Sequence, residues 1–344
     1  MMNHTDFSLR LLEWYGNNGR QLPWRQTTDP YRIWISEVIL QQTRVAQGYD
    51  YFLRFIQRFP DVMSLAAASE DEVLRLWQGL GYYSRARNLH AAALQIRQLG
   101  HFPDTYEDIR RLKGVGDYTA AAIASLAFGL PHAVVDGNVF RVLARYFGID
   151  TPIDSSAGRR LFAALAQEML VSERPADYNQ AIMDFGALQC VPKSPQCEAC
   201  PLSETCQAFA EGRVGQLPVK QHVARVRERF FTYVYVRCKG EILLQRRPAG
   251  DIWQGLHQPA MLESECPLSA SEVREWLGCQ GPLTLLRSDV RHQLTHQLLH
   301  ADFYLFEPPM RPSLPGQWIK ESERDHYAVP RLVEQLYESV SDSL

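Results

Sequence analysis

The sequence has little that announces a partner or a compartment. It contains no run of about 18 apolar residues, which excludes a membrane-spanning helix. Neither charge sign dominates. The 36 Lys and Arg stand against 39 Asp and Glu, a formal net charge of -3, so any surface for a charged polymer must be local. No apolar stretch follows a basic one in Met1–Arg10, which gives the expectation of no signal peptide. Cysteine is sparse, seven in all, and the odd number without an export signal argues for a reducing cytoplasm over a disulfide framework. What is present is core-forming material: 46% hydrophobic and 22% charged residues exclude a disordered chain. At roughly 150 residues per domain, the length predicts about two domains.

Up to residue 212 the apolar positions recur every three or four residues, with Gly or Pro at the joints. This predicts helices over 33–42, 70–79, 84–99, 118–128, 139–146 and 158–170. Residues 213–229 are polar, with a basic run, and read as a linker. Beyond them, alternation predicts strands over 230–238 and 241–246, joined by a tight turn at Lys239 and Gly240, and another over 301–306. Residues 271–277 and 332–340 read as helices. The expected architecture is an all-α domain over 1–212, a linker over 213–229, and an α+β domain over 230–344.

Four of the seven cysteines cluster. Cys190, Cys197, Cys200 and Cys206 form Cys-x6-Cys-x2-Cys-x5-Cys, and four soft sulfur ligands this close suit zinc or an iron–sulfur cluster. Zinc sites usually pair two Cys-x2-Cys knuckles, and only one is present. The uneven spacing fits the wrapping of a 4Fe-4S cubane better. Four buried, unligated thiols are the bland alternative.

Gly114-Val115-Gly116 stands between two predicted helices. Two glycines two apart make a tight turn that turns backbone N–H groups outward at a helix N-terminus, a site for a phosphate; a plain helix–turn–helix corner is the alternative. With helices on both sides, the pattern matches the helix-hairpin-helix of DNA repair proteins, which grips backbone without reading sequence. Two acids are isolated in apolar surroundings: Glu37 within Ile33–Leu40 and Asp136 within Ala133–Phe140. Desolvating an ionised carboxylate costs several kcal/mol. Each has a structural alternative, partial exposure for Glu37 and a helix cap for Asp136. As a pair in unlike environments they can separate an acid from an anion, as in glycosidic bond cleavage.

These motifs come in one order. Leu22-Pro23-Trp24-Arg25 is followed by Ile35-Ser36-Glu37-Val38-Ile39-Leu40-Gln41-Gln42-Thr43 and Gly79-Leu80-Gly81-Tyr82-Tyr83-Ser84-Arg85. Then come the glycine hairpin, Val135-Asp136-Gly137-Asn138-Val139, Asn179-Gln180-Ala181-Ile182-Met183-Asp184-Phe185-Gly186-Ala187 and the four cysteines. Together they resemble the A/G-specific adenine DNA glycosylases, the MutY family of the endonuclease III superfamily. The match is strong over 8–212 and looser over 230–344.

The resemblance implies a mainly α helix-hairpin-helix glycosylase fold with an iron–sulfur cluster domain, plus a C-terminal α+β Nudix-like domain. A six-helix barrel would span 27–132, and 1–26 with 133–212 would form the cluster domain, holding a 4Fe-4S cluster on Cys190, Cys197, Cys200 and Cys206. The implied function is hydrolysis of the glycosidic bond of adenine mispaired with 8-oxoguanine or guanine in double-stranded DNA. The protein would be a monomer with no membrane partner, in the cytoplasm, on the nucleoid in a bacterium. The adenine must leave the base stack to be reached. Neutral Glu37 would protonate its ring nitrogen and ionised Asp136 would stabilise the oxocarbenium-like sugar, with Tyr118 beside them. Trp24, Arg25 and Asn138 resemble pocket residues. Gln42, Thr43 and Tyr82 resemble those that enter the helix at the opposite base. Bifunctional relatives have a lysine where this chain has Tyr118, so a Schiff base cannot form there and lyase activity should be weak or absent.

Gln245–Leu256 resembles the family's Nudix-like domain, but the acidic array of a Nudix hydrolase is absent around Arg274-Glu275, so binding and not hydrolysis is expected. Leu294-Thr295-His296 stands where relatives carry Phe-Ser-His against the oxidised guanine: Thr295 keeps a hydroxyl, His296 is retained, and Leu294 replaces the aromatic. His292 and His300 beside it read as strand-face residues. The rival functions are a thymine or uracil mismatch glycosylase on the same scaffold and a non-catalytic damage-sensing DNA-binding protein.

Overall fold

The computed structural model describes residues 4–221 and 226–343. Residues 222–225 of the expected linker and 1–3 of the N-terminal stretch lie outside the described residues. The chain divides into two compact units, Met1–Ala66 with Ala91–Val223, and Ala67–His90 with Ala224–Leu344. No helix among the described residues is long and apolar enough to cross a membrane.

The helices before the linker are α1 (His4–Asn18), α2 (Pro30–Leu40), α3 (Val45–Arg58), α4 (Val62–Ala67), α5 (Glu70–Leu76), α6 (Ser84–Leu99), α7 (Tyr106–Arg110), α8 (Asp117–Phe128), α9 (Gly137–Tyr146), α10 (Ser156–Met169), α11 (Pro175–Leu188) and α12 (Gln207–Ala210). Helix α5 and the first residues of α6 belong to the second unit.

The starts and stops follow local chemistry. Asp29 caps α2 by accepting from the Tyr31 N–H, with Pro30 in the first turn, where its missing N–H costs nothing. Helix α2 is apolar nearly all round, and Tyr31 and Ile33–Ile39 are buried, as such a helix requires. Ser155 caps α10, and Gly129 ends α8 at φ 65°, in the left-handed region. One core joins Phe7 and Leu11 of α1, Ala121 and Ala122 of α8, Leu143 of α9, Phe162 of α10 and Phe185 of α11. Helix α2 packs on α8 and α3, and α11 packs on α1, α8 and α9, so the buried faces of α2, α8, α9 and α11 come together.

Among the described residues the second unit is built on seven strands: β1 (Arg227–Cys238), β2 (Glu241–Arg246), β3 (His257–Gln258), β4 (Ala260–Ser264), β5 (Leu283–Gln293), β6 (Gln297–Phe306) and β7 (Gln317–Lys320). The path runs β3-β2-β1-β6-β5, with β4 also on β1 and β7 on β2. Strands β1 and β6 are parallel over ten residue pairs from Arg227–Gln297 to Val236–Phe306. A parallel pair at a sheet centre is buried on both faces. Accordingly Phe231, Tyr233 and Tyr235 of β1 pack with Leu332, Leu336 and Val340 of α14 (Arg331–Asp342), while Val234 and Val236 pack with Val273 and Leu277 of α13 (Ala270–Leu277).

The strand at β1 begins at Arg227, inside the expected linker. Arg229 is 7% exposed, and its guanidinium is taken by Asp251 at 2.7 and 2.8 Å and Glu263 at 2.7 and 2.6 Å. A charged residue that carries its own counter-ions into the sheet looks like linker in sequence.

Candidate active site

Glu37 sits mid-helix in α2 at 8% exposure. The Tyr118 hydroxyl, from the first turn of α8, donates to its Oε2 at 2.6 Å and also lies 3.3 Å from Met183 Sδ of α11. Burial pushes the Glu37 carboxyl above the usual range, the Tyr118 hydrogen bond and Arg25 pull against that, and Asp136 adds to it. Tyr118 itself is held well above an ordinary phenol, first by burial and then by the two carboxylates.

Asp136 is the N-cap of α9. Its Oδ1 accepts from the Asn138 and Val139 N–H groups, both at 2.8 Å, and its Oδ2 accepts from Asn138 Nδ2 at 2.8 Å. Burial raises this carboxyl too, but three N–H donors favour its anion, where Glu37 has one hydroxyl. The helix-cap reading and the functional reading of Asp136 are thus both met by one side chain. Asn138 is oriented in turn by Arg141, whose Nη2 donates to Asn138 Oδ1 at 2.8 Å and to the Gly186 carbonyl at 2.5 Å, while its Nε donates to the Cys190 carbonyl at 2.8 Å. A Cβ on Gly186 would stand 2.6 Å from Asn138 Cβ, so glycine lets α11 press against this turn.

Glu37, Tyr118, Asp136, Asn138, Trp24, Arg25, Gln42 and Thr43 all line one cleft of about 830 Å³ in the first unit. Trp24 is 6% exposed and its ring packs edge-on against Phe52, so it is both a core aromatic and a wall of the cleft. Arg25 turns its guanidinium to Asp184, Nη1 to Oδ2 at 2.6 Å and Nη2 to Oδ1 at 2.7 Å. Asp184 and Arg141 are functional neighbours that sequence reasoning missed. Asp184 is the only charged residue in the run 179–187, the same isolation that marks Glu37.

Gly114 turns the hairpin at φ 76°, a conformation that favours glycine, and Val115 is buried at 8% exposure. Gly116 caps α8 without a side chain, so the first-turn N–H groups are covered by none from that position. Gln42 and Tyr82 are non-glycine residues at φ 59° and 46°. Such conformations cost of order 1–3 kcal/mol and cluster at functional sites.

In the second unit, residues 79–84 line a cavity of about 580 Å³ together with Trp253, His292, Leu294, Thr295 and His296. The loop from Gly79 is held by Arg85, whose Nη2 donates to the Leu80 and Gly81 carbonyls at 3.2 and 3.1 Å. Tyr82 is 50% exposed, and its hydroxyl meets Thr295 Oγ1 at 2.5 Å. Leu294, which stands where relatives carry an aromatic residue, is partly buried and packs against the sheet core. His292 lies beside Trp253, and His300 stacks on Phe230 and meets Asp289 at 2.6 Å. Glu272 of α13 is used in a capping box with Ser269.

Cys190, Cys197, Cys200 and Cys206 are free, half-buried and line a single cavity beside the buried Arg145, whose Nη1 lies 3.5 Å from Cys190 Sγ. Burial pushes the Cys200 thiol up to about 11. The donor set fits a thiolate-bound group, since a metal's charge reverses that penalty by deprotonating the sulfurs. Among the described residues no three His, Cys, Asp or Glu side chains converge as ligands of one metal ion.

Residues 35–167 match the family described as HhH-GPD superfamily base excision DNA repair protein, and residues 232–339 match the NUDIX domain family. The solved structure of a thermostable thymine-DNA glycosylase superposes with a TM-score of 0.57 at 30% identity, covering 60% of this chain and 97% of that one. The adenine DNA glycosylase of Mus musculus is 44% identical over 224 residues, 62% of this chain and 44% of that protein. The adenine DNA glycosylase of Buchnera aphidicola subsp. Baizongia pistaciae (strain Bp) is 32% identical over 304 residues, 87% of this chain and 84% of that protein. A likeness running through both units of the chain, joined to a glycosylase cleft, makes this protein a member of the adenine DNA glycosylase family of base-excision repair enzymes.

Proposed function

We propose that this protein removes adenine mispaired with 8-oxoguanine or guanine from double-stranded DNA by hydrolysis alone. The observation that carries this reading is the pair of unlike carboxylates in one cleft: Glu37, buried with a single hydroxyl donor, and Asp136, held by three N–H donors. The adenine leaves the stack at an energetic cost that is lower at a mismatch. The protonated Glu37 carboxyl gives its proton to a ring nitrogen, so the base departs neutral. The Asp136 anion faces the positive charge that develops on the sugar, and Asn138 keeps it oriented. Water completes the hydrolysis. Tyr118 holds Glu37 and offers no amine, so strand cleavage does not follow base release.

The strained, exposed Gln42 and Tyr82, with Thr43, suit entry into the duplex at the opposite base, and the Gly114-Val115-Gly116 turn suits the DNA backbone. Thr295 and His296 supply the hydroxyl and imidazole that tell 8-oxoguanine from guanine. The four cysteines would hold a 4Fe-4S cluster, which supplies cross-links that shape the loop over 190–206. The likeness to a thymine-DNA glycosylase keeps one rival in view, but that likeness covers 60% of the chain, whereas the likeness to an adenine glycosylase covers 87%. Base release from a panel of A:8-oxoguanine, A:G, T:G and U:G duplexes tests the reading. Free adenine from the first two supports it, thymine or uracil release in their place refutes it, and binding without release makes the protein a damage sensor.

A further inference from the structure

Asp184, with a fully buried side chain on α11, serves two arginines at once. Its Oδ1 accepts from Arg20 Nε at 2.9 Å and Arg25 Nη2 at 2.7 Å, and its Oδ2 accepts from Arg25 Nη1 at 2.6 Å and the Arg20 backbone N–H at 3.0 Å. Both arginines line the cleft that holds Glu37. Two guanidiniums against one carboxylate leave one net positive charge there. Without Asp184 there would be two.

That charge matters because of what surrounds Glu37. Arg25 from the segment after α1 favours the Glu37 anion, as does the Tyr118 hydroxyl of α8, while burial and Asp136, from the turn before α9, oppose it. An acid that must deliver a proton works only while it carries one.

We propose that Asp184 is a positioning residue of the excision step, the counter-charge shared between Arg20 and Arg25 that keeps Arg25 from holding the Glu37 carboxyl in its ionised form. This rests on Glu37 being the proton donor. Burial would raise the Asp184 carboxyl, but its bonds to Arg25 and Arg20 outweigh that and hold it below the usual range, so it stays charged wherever the enzyme works. A purely mechanical role, tying the N-terminal segment to α11, would use the same hydrogen bonds but leave the pH dependence of catalysis alone.

The test is single-turnover adenine release from an A:8-oxoguanine duplex across acid to alkaline pH, with melting curves for each variant. Asp184→Asn should move the falling alkaline limb to lower pH by roughly one unit, about tenfold in rate above the limb, with the acid plateau near wild type. Asp184→Glu should restore the profile. Asp184→Asn combined with Arg20→Gln, which brings the net charge back to its original value, should return the limb as well. Arg20→Gln alone should move the limb the other way, and it decides the matter if Asp184→Asn does not fold. A uniform loss of rate at every pH, or an unmoved limb in the Arg20 variant, overturns the proposal. Glu37→Gln at full rate would instead overturn the reading on which it rests. A dead Glu37→Gln with unmoved limbs overturns this proposal alone.

Discussion

The hydroxyls of Tyr82 and Thr295 lie 2.5 Å apart, joined across 213 positions of sequence. Tyr82 is on the strained loop before α6 and Thr295 is in the turn between β5 and β6, which the Gln293 side chain braces by donating to the Leu294 and Gln297 carbonyls at 2.6 and 3.2 Å. The lesion differs from guanine by one oxygen and one ring N–H, and a placed hydrogen bond against such a change contributes about 1–3 kcal/mol, or roughly ten- to a hundredfold. Thr295→Ala with His296→Ala should lower the preference for adenine opposite 8-oxoguanine over adenine opposite guanine by that factor. Parallel single-turnover assays on the two duplexes measure it, and an unchanged ratio would remove this turn from lesion reading.

The same unit explains what truncation would do. Arg246 pairs with Glu70 and Asp71 at 3.2 and 3.0 Å, and Gln78 Oε1 accepts from the Val329 N–H at 3.2 Å. A Cβ on Gly255 would stand 3.5 Å from Leu74. Helix α5 and the Tyr82 loop therefore fold with the C-terminal sheet. A chain ending near Gln221 should still release adenine, since it keeps the cleft residues and Leu217, which is buried in the core of the first unit. It should discriminate poorly between 8-oxoguanine and guanine and show new protease cleavage within 67–90. Identical digestion patterns for the truncated and full chains would contradict this.

Gly186→Ala should slow base release without touching either carboxylate. The added methyl would stand 2.6 Å from Asn138 Cβ and 3.1 Å from its carbonyl oxygen, so the turn holding Asp136 must shift. Overpacking of this kind costs about 1–3 kcal/mol. The expected signature is a lower single-turnover rate with binding to the mismatched duplex retained. A rate equal to wild type would mean that the turn yields without moving Asp136.

Metal analysis should find about four irons per chain and a yellow-brown protein, with Cys190, Cys197, Cys200 and Cys206 as the ligands. Replacing Cys266 or Cys279 by Ala should leave the iron in place. Cys238→Ala should do so too, with some loss of stability because this side chain is buried in β1. One zinc and no visible absorption would refute the cluster assignment.

Much of the fold was legible where local chemistry and periodicity agree. The helix over 84–99 and the strand over 241–246 appear with the predicted bounds, and Glu37 and Asp136 were marked by their apolar surroundings. Strand β5 gave no signal: it lies at the sheet edge, mostly exposed, with bulges between Leu285 and Val290 that break the alternation. The pairing of Asp184 was hidden for another reason. Its arginine partners lie 159 and 164 positions away, and only the fold brings them to it. The grouping of 67–90 with the C-terminal sheet is invisible for the same reason, because α5 alone reads as one more amphipathic helix.

Glu37→Gln should separate catalysis from stability. Glutamine keeps the shape but carries no proton to give, so adenine release should fall to background while mismatch binding persists. The stability effect has a definite sign. Burial raises the Glu37 carboxyl in the folded protein above its unfolded value, so its contribution is fully present below the unfolded value and is lost as pH rises through the folded one. A neutral amide loses nothing over that window. The variant should therefore match wild type in acid and melt at a higher temperature than wild type in alkali, the gap opening as pH rises from the unfolded value of Glu37 and levelling off above the folded one. Thermal melts of both proteins across pH check this. A constant difference at all pH values would mean that Glu37 titrates alike in the folded and unfolded chains, with burial leaving no net shift. A variant less stable in alkali would mean that the Arg25 charge outweighs burial and that Glu37 rests as an anion.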